Sequence, residues 1–94
     1  MAKVTKAKKR GFTFKLRAVD ANNVYLAGDF NDWSTDSHPM KKVRNGEWEK
    51  RMTLPTGKYE YKFYVDGAWK VDPNNDQVSK NTFGTYNSVL SLIA

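Results

Sequence analysis

Three residues around one predicted hairpin turn have side chains suited to binding a flat, polar ligand. Trp69 follows the dipeptide Asp66-Gly67, whereas Lys62 and Tyr64 precede it. With a two-residue loop, Tyr64 lies opposite Trp69, and Lys62 lies diagonally across, about 7–8 Å away at the backbone. An indole ring can pack on the C–H face of a sugar, while an ammonium group donates to the hydroxyls on its rim. The pattern therefore predicts a carbohydrate-stacking surface.

The other face of this hairpin is apolar and is predicted to face a core. In the segment YEYKFYV, alternate positions carry Tyr59, Tyr61, Phe63 and Val65. The same register places Lys70 beside Phe63 on the core side. We therefore expect the second strand of the hairpin to end or bulge near Lys70.

Period-two alternation from Gly11 onward predicts an antiparallel β-sandwich of six to eight short strands. The expected strands are GFTFKLRA, VYLAG, the two arms of VRNGEWEKRMTL, YEYKFYV, the strand after Asp66-Gly67, and NSVLSLI. Asn45-Gly46 predicts a type I′ turn, which needs positive φ at both central positions. Residues 29–40 and 72–84 are polar and rich in turn formers, so both are predicted to be loops.

Several aromatic residues are predicted to be buried rather than to bind a ligand. Trp48 alternates with Met52 and Leu54, with Lys50 out of pattern, and is assigned to the core. Phe30 is expected to anchor the loop that presents Trp33. The remaining predicted core residues are Phe12, Phe14, Leu16, Tyr61 and Phe63.

The size and composition fit one domain. The chain has 94 residues and no cysteine, which excludes disulfides and thiolate metal sites. No apolar run approaches the roughly 20 residues of a membrane helix, and no hydrophobic stretch follows the basic N-terminus. We therefore expect a cytoplasmic protein that does not bind a membrane.

The formal charge of +6 is concentrated at the N-terminus. Residues 1–10 contain five basic residues and no acid, whereas residues 11–94 contain eleven basic and ten acidic residues. Residues 1–10 are accordingly predicted to be a flexible basic tail, and residues 11–94 a single, nearly neutral domain.

Catalysis finds little support in the sequence. His38, the single histidine, precedes Pro39 in a predicted loop and is expected to be solvated. The carboxylate pairs Asp29 with Asp32 and Asp66 with Asp72 lie at tight turns, where aspartate is favoured for backbone reasons. No phosphate-binding glycine loop is present. We therefore expect no enzymatic activity, no cofactor and no metal.

Four stretches in a consistent order resemble carbohydrate-binding module family 48. They are VYLAGDFNDWS, LPTGKYEYKFYVDGAW, DP and FGTYNSVL, and the similarity extends from about Gly11 to Ile93. Within the family, the sequence resembles the glycogen-binding domains of AMP-activated protein kinase beta subunits. The isoamylase-type N-terminal domains of starch-branching and debranching enzymes are relatives. The resemblance implies an immunoglobulin-like, early-set β-sandwich that binds α-1,4-linked glucans such as glycogen, starch or malto-oligosaccharides.

The resemblance also implies which residues stack on the sugar. The tryptophan of the family's FNxW motif falls on Trp33, and the tryptophan after the VDG turn falls on Trp69. The lysine of the YKF strand falls on Lys62, where it would donate to sugar hydroxyls.

Further contacts are implied in the last loop. A threonine and an asparagine that bracket one residue after a glycine correspond to Thr85 and Asn87, both suited to contacts with hydroxyls. Phe83 stands where glycogen-binding relatives carry a leucine. The position stays apolar but changes shape, which bears on the preferred chain length or branching of the glucan.

The mechanism implied by the resemblance is targeting. The domain would hold an associated protein, such as a glycogen-metabolism enzyme or a kinase subunit, on its polysaccharide. One alternative is a structural or protein-interaction domain of the same fold without glucan affinity, as in many enzyme-attached relatives. Another is a nucleic-acid binder that uses exposed aromatics and the basic tail. The near-neutral charge of residues 11–94 makes nucleic acid the least favoured partner.

Overall fold

The computed structural model describes residues 8–93 and shows two antiparallel sheets with a core between them. The first sheet has three strands in the order β1-β4-β3, and the second has five, in the order β2-β5-β8-β7 with β6 paired to β5. A short 3₁₀ helix, Asp29–Asn31, follows β2. The strands are β1 Lys9–Arg17, β2 Val24–Gly28, β3 Lys41–Arg44, β4 Glu47–Pro55, β5 Gly57–Val65, β6 Ala68–Lys70, β7 Val78–Lys80 and β8 Tyr86–Leu92. The predicted all-β sandwich is confirmed.

The core consists of residues that alternate along the strands, as the sequence predicts. Phe14 and Leu16 of β1 and Tyr61 and Phe63 of β5 are all fully buried. The rings of Phe14 and Tyr61 meet edge to face across the two sheets, with centroids 4.9 Å apart. Such contacts fix the spacing of the sheets in addition to removing apolar surface from water. Phe12, also predicted to be core, is only partly buried and packs at its margin.

Trp48 is a core residue, as predicted, and its polar atom is satisfied. The side chain is buried, and Nε1 donates to the carbonyl oxygen of Ala18 at 3.1 Å. Leu54 is buried as well, and Met52 packs against the core. This tryptophan therefore has no free face for a ligand.

The hairpin at Asp66-Gly67 has the predicted geometry. Both central residues have positive φ, +47° and +86°, as a type I′ turn requires. Tyr64 pairs with Trp69, and the ladder runs no further than the pair of Phe63 with Lys70. Since β6 ends there, the exposed Lys70 is not forced into the core, as expected.

The turn at Asn45-Gly46 differs from the prediction. It joins β3 to β4, but only Gly46 has a positive φ, +70°, so the predicted type I′ turn is wrong. The pairing register shifts between Lys42 and Arg44, which indicates a bulge. The cause is tertiary, because the amide of Ala18 donates to the carbonyl oxygen of Gly46 at 2.7 Å and ties the turn to the end of β1.

Two boundaries also differ from the sequence prediction. β1 begins at Lys9, and Lys9 and Arg10 pair with β4, so these two residues belong to the sandwich and not to the tail. The rest of the predicted tail, residues 1–7, lies outside the described residues. β7 lies within the predicted loop 72–84, where a three-residue polar strand pairs with β8. Between residues 8 and 93, no helix is long and apolar enough to cross a membrane.

Candidate functional site

One surface groove contains all six side chains that the resemblance implied. It has a volume of about 1530 Å³ and extends from the outer face of the five-stranded sheet to the end of the sandwich, where Leu16 and Ala18 also line it. Lys62 alternates with the buried Tyr61 and Phe63, so it lies on the side of β5 that faces away from the core. The six predicted residues that line the groove are Trp33, Lys62, Trp69, Phe83, Thr85 and Asn87.

Two indole rings form one wall of the groove. The rings of Trp33 and Trp69 have centroids 6.2 Å apart and planes inclined at 66°. Tyr64 lies beneath Trp69 with a centroid distance of 4.8 Å and helps hold it in place. Trp69 is 44% exposed, and Trp33 is half-buried. Each tryptophan therefore retains accessible aromatic surface.

The backbone that presents Trp33 is strained. Asp32 and Trp33 have φ values of +55° and +59°, a region that bulky residues rarely adopt. The side chain of Asn31 stabilises this conformation, because its Oδ1 accepts from the amide of Gly28 at 3.0 Å and its Nδ2 donates to the carbonyl oxygen of Leu26 at 3.0 Å. Strain of this kind persists where the surroundings over-determine the conformation, and it is concentrated at functional sites.

Phe30 anchors the same loop, as predicted. It packs against the core, with ring centroids 5.8 Å from Phe14 and 6.2 Å from Tyr59. His38 is not simply solvated as expected. It is half-buried, its ring meets Phe30 edge to face, and its Nδ1 lies 3.0 Å from Nδ2 of Asn31. The histidine thus has a structural role within the loop that carries Trp33.

Lys62 lies at the floor of the groove and is less accessible than the sequence suggests. The residue is only 9% exposed, and its Nζ donates to Oγ1 of Thr85 at 3.2 Å. On one side it pairs with Ala27 of β2. On the other side it lies between the last β8 pair, at Tyr61, and the first β6 pair, at Phe63. The ammonium group reaches the groove because side chains project from the face of a sheet, and Tyr61 and Phe63 occupy the opposite face.

Asn81 organises the loop between β7 and β8, and the sequence prediction missed it. Its Oδ1 accepts from the amides of Phe83 and Thr85 at 3.0 and 3.1 Å. Its Nδ2 donates to Oγ1 of Thr85 at 2.7 Å and to Oδ1 of Asn87 at 3.0 Å. The available signal was the turn preference of asparagine, whose side chain readily bonds nearby backbone. Phe83, at the tip of this loop, is 89% exposed.

Two acidic residues complete the polar floor. Asn87, only 8% exposed, donates from Nδ2 to Oε1 of Glu60 at 2.9 Å. Asp29 accepts from the amide of Glu60 at 2.8 Å and from Nε1 of Trp33 at 3.3 Å. The sequence prediction had assigned Asp29 only a turn role and had given Glu60 none. The groove therefore combines donors and acceptors beside its two indole rings.

Comparison with known proteins places the chain in a family. Residues 12–93 match the family described as the glycogen recognition site of AMP-activated protein kinase. The chain belongs to this family of glycogen-recognition domains. It is 46% identical over 74 residues to protein PTST homolog 2, chloroplastic, of Arabidopsis thaliana. It is 39% identical over 69 residues to 5′-AMP-activated protein kinase subunit beta-1 of Bos taurus and to subunit beta-2 of Mus musculus.

The similarity covers most of this glycogen-recognition domain but little of each relative. The alignment with the Arabidopsis protein includes 79% of this chain and 13% of that protein. The alignments with the kinase subunits include 73% of this chain and 24% of each subunit. Membership in the family supports carbohydrate binding by the domain.

Two carboxylates of the glycogen-recognition domain that the sequence places at tight turns, Asp66 and Asp72, make structural hydrogen bonds. Asp66 accepts from the amide of Asn23 at 2.8 Å, and Asp72 accepts from the hydroxyl of Tyr61 at 2.7 Å. Burial raises the pKa of Tyr61 well above its ordinary value, and Asp72 acts in the same direction. Within residues 8–93, no group of three or more His, Cys, Asp or Glu residues is placed to hold a metal ion.

Charge is distributed unevenly between the two sheets of the domain. The strands of the three-stranded sheet contain nine Lys or Arg residues and two Glu residues. The rest of the chain from residue 18 to 93 contains four Lys residues and eight acidic residues. The three-stranded sheet is therefore basic, and the rest of the described domain is acidic. The groove lies mainly on the five-stranded sheet, and its charged lining is mixed: Arg17, Asp29, Glu60, Lys62 and Lys70.

Proposed function

We propose that this domain binds α-1,4-linked glucans, such as glycogen, starch or malto-oligosaccharides, and catalyses no reaction. The observation that carries the proposal is the pair of indole rings, Trp33 and Trp69, whose centroids lie 6.2 Å apart in a groove that Lys62 also lines. Two inclined aromatic plates suit consecutive rings of a curved chain of sugars. The mixed, nearly balanced charge of the lining suits a neutral ligand.

The polar floor supplies directional contacts to the sugar hydroxyls. Oγ1 of Thr85 accepts from both Lys62 and Asn81, which leaves its hydroxyl hydrogen free to be donated to the ligand. Lys62 has three hydrogens, of which Thr85 accepts one. Asn87 can donate the second hydrogen of its side-chain amide to a sugar hydroxyl. Phe83, exposed at the loop tip, supplies an apolar contact to the glucan chain.

The expected affinity is modest. Covering two indole faces contributes a few kcal/mol, from which the cost of ordering the sugar chain is subtracted. The dissociation constant for a malto-oligosaccharide should therefore lie roughly between micromolar and millimolar. Such affinity suits a targeting module that keeps an associated protein on a polysaccharide.

The proposed partner is a protein of the kinds that the names of the relatives describe. Some relatives are kinase subunits and one is a chloroplast protein, so we propose that the domain brings a kinase or another glucan-metabolism protein to its polysaccharide. The cytoplasmic location expected from the sequence stays a prediction.

Titration with maltoheptaose, followed by indole fluorescence and NMR shifts, tests the proposal. We expect saturable changes at Trp33 and Trp69, and at least a tenfold loss of affinity in Trp33→Ala and Trp69→Ala. Val43→Ser, a change at an exposed residue outside the groove, serves as the control. A domain that is only structural predicts no response to maltoheptaose or β-cyclodextrin. Unchanged binding by both tryptophan variants would contradict the assignment of the site.

A further inference from the structure

The groove contains apolar surface that the two tryptophans do not explain. Eight large hydrophobic residues between residues 8 and 93 are exposed, and five of them line this one groove: Trp69, Val71, Val78, Phe83 and Tyr86. Single exposed hydrophobic residues are normal, but a contiguous patch marks a binding surface. Val71, Val78 and Tyr86 have no role in the stacking site described above.

These three residues lie beyond the edge of the stacking surface. Tyr86 pairs with Lys80, and Val78 pairs with Ser88, whose side chain is fully buried. Because side chains alternate along a strand, Val78 and Tyr86 lie on the core-facing side of the β7–β8 pair, opposite Thr85 and Asn87.

The three-stranded sheet does not cover this end of β8. Leu90 and Leu92, further along the same face of β8, are buried in the core, whereas Tyr86 is 49% exposed. Leu16 and Ala18, near the end of β1, line the groove alongside it. Tyr86 therefore lies at an open end of the sandwich.

Residues of the stacking surface and of this apolar end line the same groove. β6 and β8 both pair with the same edge of β5, one after the other, because β2 occupies the opposite edge. Val71 directly follows β6, and Tyr86 is the first residue of β8. Because Trp69, Val71 and Tyr86 line one groove, a ligand on Trp69 can extend within it to Val71 and Tyr86.

We propose that Val71, Val78 and Tyr86 form a second glucan subsite, which holds further glucose units of the same chain that stacks on Trp33 and Trp69. This inference rests on the proposed function. The continuity of the groove favours the same glucan chain over an apolar peptide. The side chains also suit glucose. The valines can pack on the C–H faces of the sugar, and the tyrosine supplies an aromatic ring for stacking and a hydroxyl for hydrogen bonding.

The subsite predicts that the contribution of Tyr86 depends on the length of the glucan. We expect Tyr86→Ala to leave maltotriose affinity within about twofold and to lower maltodecaose affinity by about fivefold to tenfold, the equivalent of one aromatic contact. Val78→Ser should show the same length dependence to a smaller degree. Tyr86→Phe keeps the ring, so it should lose less affinity for maltodecaose than Tyr86→Ala.

Calorimetric titration of the folded variants with both sugars tests this prediction, with Val43→Ser as the matched control for Val78→Ser. Equal losses for the short and the long glucan, or wild-type affinity of Tyr86→Ala for maltodecaose, overturn the subsite. If Trp33→Ala and Trp69→Ala lose affinity while the Tyr86 and Val78 variants do not, the second subsite alone is wrong. If the tryptophan variants also retain affinity, the assignment of the stacking site is wrong, and if the unaltered domain binds neither sugar, the proposed function itself is wrong.

Discussion

The exposed area of Trp69 gives the free energy that one stacking contact contributes to glucan binding. A tryptophan side chain has about 250 Å² of surface. Since Trp69 is 44% exposed, about 110 Å² of it is accessible to a ligand. A sugar covers one face, roughly half of this area, and burial at about 25 cal/mol per Å² then contributes about 1.4 kcal/mol. Trp69→Ala should therefore weaken binding about tenfold, and more if the sugar covers both the face and the edge.

The assay compares maltoheptaose affinity and stability in the same samples. Isothermal titration gives the dissociation constant, and urea denaturation gives the free energy of unfolding. Because Trp69 is on the surface and packs mainly on Tyr64 and Trp33, we expect Trp69→Ala to lower the unfolding free energy by at most about 1 kcal/mol. Trp69→Phe keeps an aromatic plate and should recover part of the affinity.

Two results would refute the reasoning. If folded Trp69→Ala binds maltoheptaose as tightly as the unaltered domain, the accessible indole face does not carry binding energy. A loss of affinity that is matched by a large loss of stability would instead assign Trp69 a structural role. In either case the estimate from exposed area fails.

Three further predictions follow from the groove and the core. Lys62→Met keeps the length of the side chain but removes the donor, so maltoheptaose affinity should fall about tenfold in titrations; an unchanged value would mean that the ammonium group bonds only Thr85. Raising salt from about 0.05 M to about 0.5 M should change glucan affinity by less than about twofold, since the ligand is neutral, whereas steeply salt-dependent binding of single-stranded nucleic acid would favour that alternative. Burial raises the pKa of Tyr61, so the stability that depends on its neutral form is intact below the ordinary tyrosine pKa of about 10 and declines as pH rises further. Thermal unfolding of Tyr61→Phe should therefore depend less on pH above about 10, and an identical dependence would contradict this role.

The turns and strands closest to the site followed from local sequence. Asp66-Gly67 can adopt positive φ at both positions, which fixes a two-residue loop and with it the pairing of Tyr64 with Trp69. Period-two alternation in β5 placed Tyr61 and Phe63 in the core. These features depend on neighbours a few residues apart, and such information is present in a single chain.

Features that depend on residues far apart in the sequence could not be predicted from local patterns. Asn45-Gly46 has the same local preference, yet its conformation depends on Ala18. β7 has too few apolar residues to be recognised, and it exists because β8 offers a free edge. Asn81 is one of several turn-forming asparagines, so the sequence does not single it out. Its role is recognised from its contacts with Thr85 and Asn87 in the folded structure.

The sequence by itself determined the sandwich class, the hairpin register at Trp69 and, through the family motifs, the identities of the groove residues. Only the tertiary structure decided that Trp33, in the connection after β2, and Trp69, on β6, lie 6.2 Å apart in the groove that Lys62 lines. The pairing of both β2 and β6 with β5 brings these residues together. Local periodicity sets which face a side chain occupies, but the order of strands in the sheet sets its neighbours across the site.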